Sequence, residues 1–369
     1  VGSLLPRSMD DADGGRSDPH FGVGLLQALR EFAARQTRRG VIAGPSFVTG
    51  ATGFVGGDLM HRLVAENGEV RALARSNRGL RLVADAGATP VAGDVFDADA
   101  LRRGMEGCGT VFHVAGVNEM CSRRPGEMIR VNVDGTVRVI EAAAAAGVTR
   151  VVYTSSAATL GESAGSVGSD GSDHRGRYLS AYEESKHRAE AAAFAAAGRV
   201  GVEVVSVNPS SVQGPGRIGG SARLFLYALR ARRPILVELP LSVVDIADCT
   251  TAHLLAATRG EPGRRYVANG ATVGVAETVA LLGEVSGINI EPRYLPKSIA
   301  VVLGRPLAVL AELVPGEAPL CREMIRTLLH GHRYDGSRIE RELGMRYTPL
   351  ADTLRRTVDW YRRQGMVGG

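Results

Sequence analysis

The eight residues Thr49-Gly50-Ala51-Thr52-Gly53-Phe54-Val55-Gly56 constrain this chain more than any other stretch. They lie between a short β-branched run and an amphipathic stretch, with a glycine at every third position. A strand that turns into a helix this way uses the first glycine for the tight turn. The second lets backbone come close to a ligand, and the third lets the helix lie against the sheet. The first N–H groups of such a helix have no partner within it, so an anion is the natural occupant in front of the turn. With 47 glycines in the chain the spacing alone would carry little. The strand before it and the helix after it make the segment a dinucleotide phosphate loop, with Gly50, Thr52, Gly53, Phe54, Val55 and Gly56 around the pyrophosphate.

The rest of the chain alternates in the same manner. Short β-branched runs at Phe47–Thr49, Glu69–Ala74, Thr89–Ala92, Val111–Val114, Arg150–Thr154 and Val202–Val207 are separated by helical stretches such as Val55–Glu66, Met128–Ala146 and Ala181–Ala197. Six strands joined by right-handed crossovers predict an α/β, Rossmann-type doubly wound parallel sheet, with the ligand at the carboxyl ends of its strands. Beyond Pro209 helices dominate, at Ala222–Ala231, Asp248–Thr258, Glu277–Ser286 and Asp352–Arg363. This divides the chain into an N-terminal extension (1–44), a dinucleotide-binding domain (45–210) and mainly a smaller C-terminal α/β lobe for substrate (211–369). Within the extension, Leu25, Leu26, Leu29 and Phe32 predict one short amphipathic helix. The Gly- and Ser-rich stretch from Gly161 to Gly176 reads as a mobile loop.

Composition narrows the classes further. A 369-residue chain with 44% hydrophobic and 22% charged residues has the makeup of a globular protein. Its net charge of +5 is spread over both signs and offers no basic stripe for nucleic acid. No apolar run reaches the ~18 residues of a membrane span; Ile299–Val314 comes nearest and is broken by Arg305, Pro306 and Glu312. Residues 1–18 lack the basic-then-apolar order of a secretory signal. The four cysteines, Cys108, Cys121, Cys249 and Cys321, show neither a CxxC pair nor metal-ligand spacing. They read as buried small residues in a reducing, cytoplasmic compartment, and no metal site is expected.

The residues that carry chemistry follow from the fold. Nineteen residues after Gly56, where a carboxylate would meet a ribose 2′-hydroxyl, stands Arg75, with Arg78 close behind. A guanidinium suits a 2′-phosphate, so NADP(H) is favoured over NAD(H); a solvated arginine is the plainer reading. Asp94, after the third strand, either accepts from the adenine amino group or caps the next helix. Tyr182 and Lys186 lie four residues apart and so share one helical face. A cation there lowers a phenol's pKa toward use as an acid-base group. Only two of the 44 Lys and Arg residues are lysines, Lys186 and Lys297, so a lysine at this place is a selective choice. The fifth strand ends in Thr154, Ser155 and Ser156, hydroxyls delivered to the ligand edge.

These residues together resemble an extended short-chain dehydrogenase/reductase of the NAD-dependent epimerase/dehydratase family. TGATGFVG (49–56), GDVFD (93–97), VFHVAG (111–116), NVDGT (132–136), VVYTSSAATLG (151–161), YEESK (182–186) and VNPSSVQGPG (207–216) fall in the family's order. The resemblance runs from about Pro45 to Arg363. It implies Tyr182 as acid-base, Lys186 as its electrostatic partner and Ser156, rather than Ser155, as the carbonyl donor. It implies Asn132 as a support for the active-site helix, and Val95, Ala115, Pro209 and Ser210 along the cofactor. VRALAR (70–75) and VNPSSV (207–212) are similar to the dihydroflavonol reductase, hydroxysteroid dehydrogenase and hopanoid-associated epimerase-like branches; sugar-nucleotide epimerases more often carry Arg-x-x-Asn-x-x-Gly-Pro at the second place.

The expected activity is reversible reduction of a ketone or aldehyde by hydride transfer. Apolar stretches at Ile299–Leu303 and Leu307–Leu313 are either pocket walls or core. Two alternatives remain: a nucleotide-sugar epimerase or dehydratase using the same centre, and a non-catalytic dinucleotide sensor, against which the intact Ser, Tyr and Lys set argues. A small-molecule carbonyl or alcohol is the expected partner, with no nucleic acid and no transmembrane segment. The resemblance further implies a homodimer formed through helices such as that of Tyr182.

Overall fold

The computed structural model describes residues 44–66, 68–299 and 321–368, together with positions 42 and 302. Nearly all of the extension 1–44, including its expected helix, and most of the apolar stretch 299–314 therefore lie outside the described residues.

Seven strands form the main sheet: β1 (Ser46–Thr49), β2 (Val70–Ala74), β3 (Thr89–Ala92), β4 (Thr110–His113), β5 (Arg150–Thr154), β6 (Glu203–Pro209) and β10 (Arg265–Ala268). Their order is β10-β6-β5-β4-β1-β2-β3, and every pair is parallel. The order reverses between β4 and β1, the switch point at which an open α/β sheet leaves a crevice. β1 and β4 are buried throughout, as strands covered on both faces must be.

One face is covered by α1 (Phe54–Ala65), through Leu59, Met60 and Leu63, and by α7 (Ile246–Arg259), through Cys249, Ala252 and Ala256. The opposite face carries α3 (Ala98–Met105), α4 (Pro125–Ala145) and α5 (Ala181–Val200). Alanines at 189, 193 and 196 keep the buried side of α5 flat, so it lies close against Val139, Ile140 and Ala143 of α4. The remaining helix of this half, α2 (Asn77–Asp85), follows β2.

The sheet has seven strands where the sequence suggested six. The additional strand, β10, and the covering helix α7 come from beyond residue 210, so these two segments of 211–369 belong to the sheet layers. The Arg265-Tyr266-Val267-Ala268 run is short and follows a Pro-Gly-Arg turn, which hides it from a periodicity argument.

The rest of 211–369 holds a three-stranded sheet, β7 (Ser211–Gln213), β9 (Pro240–Asp245) and β11 (Ala271–Gly274), and a pair, β8 (Ile235–Val237) with β12 (Arg293–Leu295). Phe225 and Leu229 of α6 (Ala222–Ala231), Leu282 of α8 (Val275–Ser286), and Leu354, Val358 and Tyr361 of α10 (Leu350–Arg363) make a separate apolar core. Between α8 and α10 lies α9 (Arg322–His330).

Two expectations need correction. The stretch from Gly161 to Gly176 is tied down rather than mobile. Gly168 N–H donates to Arg333 O at 2.9 Å, Asp335 N–H donates to Gly168 O at 2.8 Å, and Asp170 accepts from Val267 N–H at 2.7 Å. Its glycines serve turns, and composition alone does not separate a tight turn from a slack one. The cysteines are not all unpaired either: Cys121 and Cys321, 200 residues apart, form a disulfide, while Cys108 and Cys249 are buried thiols as expected. The pair joins the segment after β4 to the start of α9, a proximity that spacing cannot reveal.

Candidate active site

At the switch point β1 runs into its glycine turn. Gly50 has φ +75°, and a Cβ there would lie 2.6 Å from Ala115 N; one on Gly56 would lie 2.2 Å from Gly50 O. Only hydrogen fits at either place, so the turn approaches the end of β4 on one side while α1 seats against it on the other. Thr49 braces the arrangement, its hydroxyl accepting from Ala115 N–H at 3.2 Å and lying 2.8 Å from His113 Nδ1. Gly53 is the N-cap of α1 and has no capping side chain, and the first turn carries no acid. The free amides there, with exposed Thr52 and half-buried Phe54 and Val55, fit a dinucleotide pyrophosphate.

Arg75 leaves the end of β2 exposed, and Arg78 lies in the first turn of α2, whose N-cap Ser76 accepts from Gly79 N–H at 3.1 Å. Among the described residues neither arginine pairs with a carboxylate. Asp94 is only partly buried, and its carboxylate folds onto Phe96 N–H at 2.7 Å. The helix cap considered for it belongs to Asp97, which accepts from Ala100 N–H at 2.9 Å. Val95 beside it is buried in the core.

The reactive groups converge at the carboxyl end of β5. Ser180 caps α5 by accepting from Glu183 N–H, placing Tyr182 in the first turn and Lys186 one turn on. The Lys186 ammonium is buried, donates to Thr154 O at 2.8 Å and stands 5.2 Å above the Tyr153 ring. Burial lowers its pKa to about 8, with Glu190 partly opposing. At Tyr182, burial raises the phenol above its ordinary value; the Ser156 hydroxyl and the Arg217 guanidinium work against the rise. The lowering expected from Lys186 is thus not what sets this phenol. The lysine's contact is with Thr154, and serine and arginine support the charged form instead.

Ser156 caps the short 3-10 turn Ala157–Leu160, accepting from Ala158 N–H at 3.2 Å. Ser155 is more deeply buried and its hydroxyl has no partner among the described residues. Asn132 behaves as a brace: it exchanges bonds with Val117 backbone at 2.7 and 3.0 Å and donates to Ser185 Oγ at 2.9 Å, locking the segment after β4 to α5. Pro209 ends β6, and Ser210 N–H donates to Ala268 O, while its buried hydroxyl has no partner among the described residues.

Sequence reasoning missed Arg217. Its guanidinium lies 5.5 Å from the Phe54 ring centre, its buried Nε has no hydrogen bond among the described residues, and Tyr361 of α10 fixes its carbonyl at 2.8 Å. An arginine just after Gly214-Pro215-Gly216 was the available signal. In a chain with 42 arginines it did not stand out.

A seven-stranded parallel sheet with a glycine cradle at its switch point and a Ser, Tyr and Lys set beside it defines a dinucleotide-dependent enzyme of the short-chain dehydrogenase/reductase type. Residues 46–268 match the NAD dependent epimerase/dehydratase family, and the chain belongs to it. It is 32% identical to a putative dihydroflavonol 4-reductase of Synechocystis, over 87% of this chain and 95% of that protein. It is 30% identical to sterol demethylase protein B of Methylococcus capsulatus, over 87% and 99%. Among solved structures, that of gox2253 superposes with a TM-score of 0.76 at 27% identity, covering 88% of this chain and 99% of the other. No helix among the described residues is long and apolar enough to cross a membrane.

Proposed function

We propose that this chain reduces a ketone or aldehyde with NADPH, Tyr182 giving the proton. The observation that carries the reading is the meeting of Ser156 and Tyr182 at the end of β5, with Lys186 one helical turn behind. The bound dinucleotide supplies hydride. Ser156 donates a hydrogen bond to the carbonyl oxygen, and Tyr182 passes its proton to the alkoxide that forms. A phenol whose pKa lies above its ordinary value is protonated at neutral pH, as a donor must be. Lys186 holds Thr154 in place and puts its charge behind the site; Asn132 holds α5.

Exposed Arg75 and Arg78 at the end of β2 support NADP(H) over NAD(H). The reading places Asp94 near the adenine and Ala115, Pro209 and Ser210 along the nicotinamide side. It gives 45–210 with β10 and α7 to the dinucleotide, and the smaller sheets with α6, α8 and α10 to substrate. The reductase name of the Synechocystis relative agrees. A cytoplasmic place of action suits a consumer of NADPH, although the Cys121–Cys321 pair removes the cysteine argument for it. A homodimer belongs to the same proposal.

Arg217 favours a second reading. A half-buried guanidinium near Tyr182, its Nε without a hydrogen bond among the described residues, suits an anionic substrate such as a nucleotide-sugar, which the same centre would oxidise and reduce without net cofactor consumption. One assay decides: purified protein with NADPH or NADH against ketones, aldehydes and nucleotide-sugars, scored for cofactor oxidation and product stereochemistry. Carbonyl-dependent NADPH oxidation supports reduction. Sugar inversion without it overturns the first reading in favour of the second.

A further inference from the structure

Just past the short turn that Ser156 caps, three side chains from two distant parts of the chain meet. Glu162 follows the turn that Ser156 caps; His330 ends α9 and His332 lies two residues on. Glu162 Oε1 is 2.6 Å from His332 Nδ1 and 3.5 Å from His330 Nε2. The three donor atoms all lie within 4.8 Å of one another. Gly331, at φ +72°, turns the chain so that both imidazoles face the carboxylate, with ring centres 4.8 Å apart.

We propose that Glu162, His330 and His332 form a binding site for one divalent transition-metal ion, which fastens the segment following Ser156 to the C-terminal part of the chain. Two neutral imidazoles and a carboxylate make a donor set that Zn(II) takes with a fourth position open, and nitrogen donors disfavour Mg(II) and Ca(II). A tetrahedral Zn(II) holds its ligand atoms roughly 3.4 Å apart, so the 2.6 Å contact of Glu162 with His332 must open by under ~1 Å as the ion takes the place of the shared proton.

A second observation points the same way. Glu162 is 3% exposed, and its Oε2 is buried with no hydrogen-bond partner among the described residues. A carboxylate taken out of water with half its lone pairs unused is costly unless a cation is drawn to it. The flanking charges leave room for one: Arg175 donates to Glu162 O at 3.1 Å, but its guanidinium is ion-paired with Glu183. His174 Nε2 lies 3.5 Å from the same Glu183 carboxylate. His332 keeps partial access to solvent and provides the entry. The carbonyl of Glu162, 3.1 Å from His330 Nε2, is the contact that ring gives up when it turns its lone pair to the ion.

The test uses the full-length, untagged, non-reduced protein after dialysis against a chelator. Zn(II) titrated against a chromophoric competitor should bind at about one ion per chain, unaffected by excess Mg(II). Co(II) in its place should give visible d–d bands of a four-coordinate site without the near-ultraviolet charge-transfer band of thiolate ligation. The His330→Gln/His332→Gln double variant should weaken binding roughly a hundredfold or more. Absence of saturable binding, a thiolate band, or unchanged affinity in the double variant would overturn the proposal. Should the variant fail to fold, the Co(II) spectrum and stoichiometry of the wild-type chain still decide.

Discussion

The Lys186 ammonium donates to the carbonyl oxygen of Thr154 at 2.8 Å, fixing the cation to the strand whose next two residues carry the serine hydroxyls. The bond ties α5 to β5 at the point where chemistry is expected. It also fills the space: Lys186 is 6% exposed, and a Cβ on Gly116 would stand 3.5 Å from its nitrogen.

A planar guanidinium cannot take the place of a compact ammonium in that volume. Lys186→Arg should therefore cut turnover roughly a hundredfold. Lys297→Arg, at an exposed position, should leave it within experimental error. Steady-state rates of the two variants side by side check this.

Arg75 is expected to bind the 2′-phosphate through charge-assisted bonds, each worth about 1.5–3 kcal/mol. Arg75→Ala should weaken NADPH binding by tenfold or more on that scale and leave NADH binding unchanged. Equal losses for both cofactors, or none for either, would remove the 2′-phosphate assignment. Fluorescence titration of each cofactor provides the numbers.

The pH profile follows from two opposite shifts. Tyr182 must be protonated to reduce a carbonyl, and its raised pKa keeps it so through neutral pH. Lys186, lowered to about 8, loses its charge first as pH rises. Reductive turnover should thus be level below pH 7 and fall through about 8. The residual activity of Lys186→Arg should lack that fall, since arginine stays charged. Arg217→Leu removes a cation that favours phenolate, and so should move the tyrosine's own ionisation to still higher pH.

The cysteines give a simple count. Denatured but unreduced protein should titrate two thiols, Cys108 and Cys249, and reduced protein four. Four thiols before reduction would contradict the Cys121–Cys321 pair.

Much of this was legible in the sequence because it is local. The glycine turn, the four-residue step from Tyr182 to Lys186 and the helix Ala222–Ala231 depend on neighbours in the chain, and periodicity and spacing report neighbours. What was missed depends on contacts across the chain. β10 becomes a sheet strand only by pairing with β6. The order of Gly161–Gly176 comes from Arg333 and Asp335, and the Cys121–Cys321 and Glu162–His332 contacts span 200 and 170 residues. The environment of Tyr182 was misjudged for the same reason. Helical spacing predicts that Lys186 is near, but only the fold brings up Arg217 and takes the phenol partly out of water.

The most direct test of the central claim is Tyr182→Phe, measured on whichever carbonyl compound the wild-type enzyme reduces. Deleting one hydroxyl leaves the cleft filled, so NADPH should bind as in wild type. Turnover should fall by the 10²–10⁴ of a general acid or more, leaving at most a trace. Undiminished turnover with normal NADPH binding would contradict the assignment of Tyr182 as the proton donor.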